Sequence, residues 1–247
     1  MQKELLSVLG NFLTTAASAR SSQQGTLESR IVPVDSDKFN YQIYTPQQAE
    51  SEKKLPVIIF LHGIGQRGSG GLVPTTGAAG AIARHYFGQV PAIVLLPQCR
   101  QGSYWSDPLM DEMVMNALAQ TIEEFGADTR RVYLIGVSMG GYGVWHFAAA
   151  YPKKFAALVS ICGGSSMTKG DRFDVLARLI GETPAWLFHG ADDKIVQVSE
   201  SRQITKALEA NGGNVKYNEY ENVGHNVWFN VLAEKDLLPW LFAQQLG

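Results

Sequence analysis

Short, continuous apolar segments recur along the chain and alternate with amphipathic ones. Five of them end in glycine, serine or a proline-containing turn, a pattern typical of strands that are buried on both faces of a parallel sheet. A sixth segment is more amphipathic and is expected nearer to an edge. Two earlier segments, SRIVPV and KFNYQIYTP, flank the polar turn DSDK and predict a β-hairpin. The apolar runs are LPVIIFLHG, PAIVLLPQ, RRVYLIGVS, FAALVSICGG and PAWLFHG, and the amphipathic one is VKYNEYENVGH.

Helical patterns lie between these strands. Gly88, Gly126 and Gly212 follow three of them, where glycine can end a helix. Strands that alternate with helices predict an α/β fold, with a mostly parallel sheet of about eight strands and helices on both faces. No repeat or linker divides residues 25–247, which we expect to form one domain. The helical patterns are AAGAIARHYFG, MDEMVMNALAQTIEEFG, GGYGVWHFAAAYP, DRFDVLARLIG and SESRQITKALEANGG.

Residues 1–24 allow two interpretations. Their large apolar side chains fall on one helical face, which predicts an amphipathic helix and linker that dock on the body or on a second subunit, and so a homodimer. Alternatively, LLSVLGNFL followed by the small residues ASA forms a weak signal peptide, although Glu4 spoils the positive start that such a peptide needs. The first interpretation implies a cytoplasmic protein and the second an exported one. The apolar face consists of Leu5, Leu6, Leu9, Phe12 and Leu13.

Composition narrows the possible partners. A chain of 247 residues that is 45% apolar and 18% charged suits one large globular domain. A net charge of −2 provides no positive field for nucleic acid or for an anionic membrane surface. No apolar run approaches the roughly 18 residues of a membrane span. Cys99 and Cys162 lie in no zinc-binding spacing, and two cysteines cannot form a disulfide framework, so both are interpreted as small apolar side chains.

One serine that lies among glycines is the first candidate for a catalytic residue. Gly136-Val137-Ser138-Met139-Gly140 matches G-x-S-x-G, and it stands between a predicted strand and a predicted helix. That setting is the one a nucleophile elbow requires, with glycines two residues before and after the serine so that strand and helix can approach. A serine hydroxyl needs a base, and the base needs an orienting acid. Ser138 is therefore the candidate nucleophile.

Candidates for the acid and the base follow in the order that an elbow fold expects. Asp192 and Asp193 come after the strand PAWLFHG, and His225 comes after the last strand. Of the other histidines, His62 and His189 each precede a glycine at a strand end, where we expect them to brace a loop. His85 and His146 lie in helical patterns and are interpreted as surface or packing residues.

These segments together resemble the α/β-hydrolases of the phospholipase/carboxylesterase and dienelactone-hydrolase type, and especially small members described as predicted peptidases or esterases. The resemblance covers residues 25–245 and implies an α/β-hydrolase fold. It assigns the acid to Asp193, with Asp192 as the alternative, and places one oxyanion N–H at Ile64. The other oxyanion donor should be the N–H of Met139, at a helix N-terminus. The motifs are FLHGIGQRG, LLPQC, YWSD, GVSMGGYGVW, HGADDKIV and VGHNVW.

The substrate is less well defined. Only one short helix is predicted between Cys162 and Pro184, so we expect no large cap domain and an open cleft. The resemblance then implies hydrolysis of short-chain or bulky-alcohol carboxylic esters by a serine carboxylesterase. The alternatives are a small serine peptidase of the prolyl-oligopeptidase-like type and an acetyl or feruloyl esterase acting on polysaccharide. A non-catalytic binding protein is disfavoured because every triad residue has a candidate.

Two tryptophans and the glycine-rich loop complete these expectations. Trp105 either forms a wall of the substrate pocket or packs under its loop, and Trp228 is expected to hold the histidine loop against the body. The loop GIGQRG imitates a nucleotide-binding spacing, but the residues after it do not begin a helix. We therefore expect no cofactor and no metal.

Overall fold

An eight-stranded sheet forms the centre of the part of the chain that a computed structural model describes, residues 25–47, 54–70, 91–167 and 171–247. The strand order is β1-β2-β4-β3-β5-β6-β7-β8. From β4 to β8 the neighbours are parallel, which confirms the predicted fold class. The strands are β1 Thr26–Val34, β2 Asp37–Thr45, β3 Val57–Leu61, β4 Ile93–Pro97, β5 Val132–Val137, β6 Ala157–Ile161, β7 Ala185–Gly190 and β8 Val215–Tyr220.

The predicted hairpin forms one edge of the sheet. β1 and β2 pair antiparallel from Thr26↔Thr45 to Val34↔Asp37. β2 then pairs antiparallel with β4, so the hairpin joins the parallel part of the sheet. At the opposite edge, β8 is only partly buried, as its amphipathic sequence predicts.

The central strands bury side chains on both faces. Along β3, Val57, Ile59 and Leu61 enter one hydrophobic core, whereas Ile58 and Phe60 enter the other. Successive side chains of a strand point to opposite faces. A strand covered on both sides therefore has to be apolar at every position, which explains the unbroken apolar runs in the sequence.

Helices cover both faces in the described residues. The first four pack into the core that contains Val57, and the last two pack into the core that contains Ile58. Periodicity did not predict the last two, because helices of five or six residues are too short to display a helical repeat. The helices are α1 Pro108–Phe125, α2 Met139–Ala150, α3 Arg172–Ile180, α4 Ser199–Ala210, α5 Trp228–Leu232 and α6 Leu237–Phe242.

Some of the predictions fall on residues outside the described ranges. These are the amphipathic helix and the homodimer contact assigned to residues 1–24, and the helical pattern AAGAIARHYFG with His85 and Gly88. They stay predictions. Within the described ranges, Gly126 ends α1 in the left-handed conformation, at φ +59°, as the sequence predicts.

Two further features bear on the site. The described residues between β6 and β7 contain a single helix, α3, so no large cap domain is inserted there. At the far end of the sheet, the last residues pack beside the amino end of β5. There the Leu246 N–H donates to the Arg130 carbonyl over 2.9 Å, and the Tyr133 hydroxyl donates to the Gln244 carbonyl over 2.9 Å.

In the described part of the chain, no helix is both long enough and apolar enough to cross a membrane.

Candidate active site

Ser138 occupies the sharp turn between β5 and α2. Its backbone has φ 56° and ψ −117°, a conformation that L-residues rarely adopt and that costs about 1–3 kcal/mol. The surrounding structure holds this conformation. The Ser138 N–H donates to the Ile161 carbonyl of the neighbouring strand over 2.8 Å. The turn thus presents the serine side chain at the carboxyl end of the sheet, where ligands bind in open α/β folds.

Two glycines make this turn possible because, as the sequence suggests, they let the strand and the helix approach each other closely. A Cβ on Gly136 would lie 2.1 Å from the Gly140 carbonyl oxygen. A Cβ on Gly140 would lie 2.0 Å from the carbonyl oxygen of Leu61, at the end of β3. Both distances are far shorter than any non-bonded contact, so α2 can begin this close to β3 and β5 only with glycine at both positions.

A hydrogen-bonded chain joins Ser138 to His225 and Asp193. His225 Nε2 lies 2.8 Å from Ser138 Oγ, and His225 Nδ1 lies 2.7 Å from Asp193 Oδ2. Since a carboxylate can only accept, Nδ1 carries the proton and Nε2 accepts from the serine hydroxyl. Asp192, the alternative acid, is exposed to solvent. The structure therefore brings Asp193 to the histidine and leaves Asp192 on the surface.

The Asp193 carboxylate is fixed from two sides. Its Oδ1 accepts from the backbone N–H groups of Ile195 at 2.8 Å and Val196 at 3.0 Å, and its side chain is fully buried. His189 Nε2 lies 3.3 Å from Oδ2 and donates to the Val196 carbonyl at 3.0 Å. Ser201 Oγ bonds to the other ring nitrogen over 2.7 Å. His189 braces the acid loop, as expected, and burial lowers its pKa.

The two expected oxyanion donors lie beside the serine. Met139 is the first residue of α2, where an N–H has no partner within the helix and the helix dipole favours an anion. Ile64 begins a 3₁₀ turn, Ile64–Gln66, in the loop that follows β3. This loop approaches closely, since a Cβ on Gly63 would lie 3.5 Å from the Ser138 Cβ.

His62 holds the Ile64 loop in place. Its Nδ1–H donates to the Gly63 carbonyl over 2.7 Å, and its Nε2 accepts the Cys99 N–H over 3.1 Å. Desolvation by burial lowers the pKa of His62 from 6.5 to about 4. The neutral ring therefore links the loop after β3 to the loop after β4, which is the bracing role predicted for it.

Beside Ser138 lies an open cleft of about 260 Å³. Trp105 is buried, with its indole N–H donating to the His62 carbonyl over 3.0 Å, and it is also among the residues that line the cleft. The other aromatic walls are Tyr104 and Tyr142. Sequence reasoning missed both tyrosines: Tyr104 stands in the motif YWSD and Tyr142 in GVSMGGYGVW, but neither was given a role there. The spacing of Tyr142, one helical turn after Ser138, was the available signal.

A polar clamp fixes the loop that follows β6. Arg172 Nη1 donates to the Ser165 carbonyl over 3.0 Å, and the Ser165 N–H donates to Glu200 Oε2 over 3.1 Å. Arg172 and Glu200 also pair directly with each other. Both backbone groups of Ser165 are thus held, and the next residue, Ser166, lines the cleft.

Among the described residues, one cluster combines side chains of metal-ligating type. The ligand atoms of Cys162, Asp193 and His225 lie within 4.8 Å of one another. However, Asp193 and His225 are already bonded to each other, and burial raises the pKa of the Cys162 thiol. Its Sγ donates to the His225 carbonyl over 3.6 Å. This arrangement suits proton transfer along the chain from Ser138 better than metal binding. Cys99 is likewise a buried free thiol.

Trp228 contacts the base edge-on, with 6.0 Å between its ring centre and that of His225. It also packs against the second core, as expected for a residue that holds the histidine loop.

Comparison with known proteins places these observations in a family. Residues 101–235, which include Ser138, Asp193 and His225, match the family model described as Phospholipase/Carboxylesterase. A thermostable esterase of known structure is 29% identical, with a TM-score of 0.78 over 90% of this chain and 63% of that chain. The Pyrococcus horikoshii acylaminoacyl peptidase shares the fold at 14% identity, with a TM-score of 0.69 over 94% of this chain and 43% of that one.

A curated relative, described as an uncharacterized secreted protein of Arthroderma benhamiae, is 25% identical over 76% of this chain. The present chain spans only 23% of that protein's length.

Proposed function

Because the chain belongs to the phospholipase/carboxylesterase family of α/β-hydrolases, we propose that it is a serine carboxylesterase that cleaves short-chain or bulky-alcohol esters through an acyl-enzyme intermediate. One observation carries the proposal: the hydrogen-bonded chain from Ser138 through His225 to Asp193. It begins at a strained nucleophile turn and lies beside an open cleft.

The first half of the reaction forms the acyl-enzyme. Ser138 Oγ attacks the carbonyl carbon of the ester while His225 Nε2 takes the hydroxyl proton. The buried Asp193 carboxylate stabilises the imidazolium that results. The N–H groups of Ile64 and Met139 bind the oxyanion of the tetrahedral intermediate. When the intermediate collapses, His225 returns the proton to the departing alcohol.

The second half reverses these roles with water. His225 takes a proton from the water molecule, whose oxygen attacks the acyl carbon on Ser138. Collapse of the second intermediate breaks the bond to Oγ, and the proton returns to the serine. The carboxylic acid leaves and the enzyme is restored.

An open cleft without a large cap supports ester rather than amide substrates. Expelling an amine requires a well-placed proton at the leaving nitrogen and walls that hold the chain on both sides of the bond. The described residues contribute one cleft beside Ser138 and no separate domain that would close over it.

The test compares wild type with Ser138→Ala on p-nitrophenyl esters and on p-nitroanilide peptides. Removal of the nucleophile should lower kcat on the esters by about 10³-fold or more, because Oγ is the atom that is acylated. Ester turnover that survives in Ser138→Ala would refute the mechanism. Cleavage of the anilides alone would refute the ester assignment.

Two adjacent aspartates provide a matched control for the acid. Asp193→Asn should lower kcat by about 10³–10⁴-fold, since an amide at this position favours the wrong imidazole tautomer. Asp192→Asn makes the same chemical change on the surface and should leave kcat within twofold. Equal effects of the two substitutions would remove Asp193 from the mechanism.

The location of the protein in the cell is a separate proposal, and we propose that it is cytoplasmic. Two free, buried cysteines support this. The description of the Arthroderma benhamiae relative as secreted supports export instead. Fractionation of the source cells followed by immunoblotting decides the question, because protein found in the medium or the periplasm would overturn the cytoplasmic assignment.

A further inference from the structure

The mouth of the cleft is lined by large apolar side chains that are exposed to solvent. Ile195 is 73% exposed, Tyr104 51% and Ile64 49%, and all three line the cleft beside Ser138. We call these three residues the apolar mouth. Solvent-exposed apolar groups that adjoin a reactive site often mark a ligand-binding surface.

Ile195 is held in this exposed position by the catalytic machinery itself. Its backbone N–H donates to Asp193 Oδ1 over 2.8 Å, while Oδ2 of the same carboxylate bonds to His225. The backbone that presents the isoleucine is therefore as fixed as the acid. The side chain contributes little to the core, because nearly three quarters of its surface remains in water.

The described residues that line the cleft carry no charged side chain, and their polar side-chain groups include the hydroxyls of serine and tyrosine residues. None of the described residues that line it is Asp, Glu, Lys, Arg or His. Its walls are the rings of Tyr104, Trp105 and Tyr142 and the aliphatic groups of Ile64, Ile195 and Val196. Away from the oxyanion N–H groups, a charged substrate group would lose its hydration without gaining a charged partner, whereas an uncharged apolar group would gain contacts with these apolar walls.

We propose that the apolar mouth is a second part of the substrate site and that Ile195 determines specificity there. The proposed esterase then prefers esters in which one side of the ester bond carries an uncharged aliphatic or aromatic group long enough to reach from Ser138 to Ile195. This inference rests on the proposed function. It adds the class of ester that the enzyme selects and the residue that selects it.

The experiment measures kcat/KM for p-nitrophenyl acetate, butyrate and hexanoate and, by pH-stat titration, for ethyl and hexyl acetate. Wild type should favour the longer member of one series, and that series identifies the side of the ester that lies in the mouth. Ile195→Ala should lower the long-to-short ratio by about 5- to 10-fold, which is the loss expected for the methylene surface removed.

Leu179→Ala is the matched control. Leu179 is also a large exposed aliphatic residue, at 41%, but it lies on α3 and does not line the cleft. The same truncation there should leave the ratio unchanged. Ile195 buries little of its surface and Leu179 buries more, so thermal melts of both variants are measured to show that loss of folding does not imitate loss of specificity.

The outcomes separate this inference from the function on which it rests. Active wild type with no length preference in either series, or an Ile195→Ala variant with an unchanged ratio, overturns the inference and leaves the esterase proposal intact. If no ester is cleaved in a Ser138-dependent manner, both fail. A lower ratio in Ile195→Ala but not in Leu179→Ala supports the inference.

Discussion

His62 makes the stability of this protein depend on pH in a way that can be calculated. Its ring is 1% exposed, and it joins the loop of Ile64 to the loop of Cys99 only as a neutral imidazole. Above pH 6.5 the ring is neutral in both the folded and the unfolded chain, so the stability is fully present. As the pH falls from 6.5 to 4, the unfolded chain binds a proton that the folded chain excludes, and stability is lost.

The magnitude follows from the lowered pKa. One pKa unit corresponds to about 1.4 kcal/mol. Burial lowers the pKa of His62 from 6.5 to about 4. Between pH 7 and pH 5, His62 should therefore lower the free energy of unfolding by about 2 kcal/mol; the loss should grow to about 3 kcal/mol at pH 4 and be complete only below that pH.

The assay is urea unfolding of wild type and His62→Gln at pH 7 and at pH 5. Glutamine loses some packing at both pH values, but it does not titrate. The decrease in unfolding free energy between the two pH values should thus be smaller in the variant by about 2 kcal/mol. Other titrating groups, including His189, are present in both proteins and cancel. A difference below about 0.5 kcal/mol would refute the reasoning.

Two further predictions concern the packing around the site. Gly140→Ala should abolish activity and lower the unfolding free energy by several kcal/mol, because the new Cβ would meet the backbone at the end of β3. Gly65→Ala, where a Cβ meets nothing within 4 Å, should stay within about 1 kcal/mol in a thermal melt. Glu200→Gln should raise KM by about 3- to 10-fold and change kcat less than twofold, because it weakens the charged clamp on the backbone of Ser165 beside the cleft. An unchanged KM in steady-state kinetics would show that this clamp does not shape the cleft.

The strands of the sheet could be predicted well, because the apolar runs that identify them are local patterns in the sequence. The run VIIFL is apolar at every position, and only a strand covered on both faces requires that. The short α5 and α6 were missed because their burial depends on the opposite face of the sheet, which no local pattern records.

The candidate site also contains residues that a local motif identifies and residues that it does not. Ser138, Asp193 and His225 could be predicted because each stands in a motif at the end of a strand. Ile195 could not, because exposure of an isoleucine is decided by how the acid loop folds, and apolar residues in a sequence are expected to be buried. For Trp105 the sequence left two alternatives open; the structure shows a buried residue that is also in the lining of the cleft, and its contact with substrate stays a prediction.

The position of the last residues has a practical consequence. The Leu246 N–H donates to the carbonyl of Arg130, which precedes β5, whereas Ser138 follows the other end of that strand. A six-residue strand spans about 20 Å, so the whole length of β5 separates Leu246 from Ser138. A purification tag or a surface linker attached beside Leu246 would lie at the end of the sheet away from the cleft. Protein immobilised there should therefore show the proposed ester turnover at the same rate per molecule as free protein.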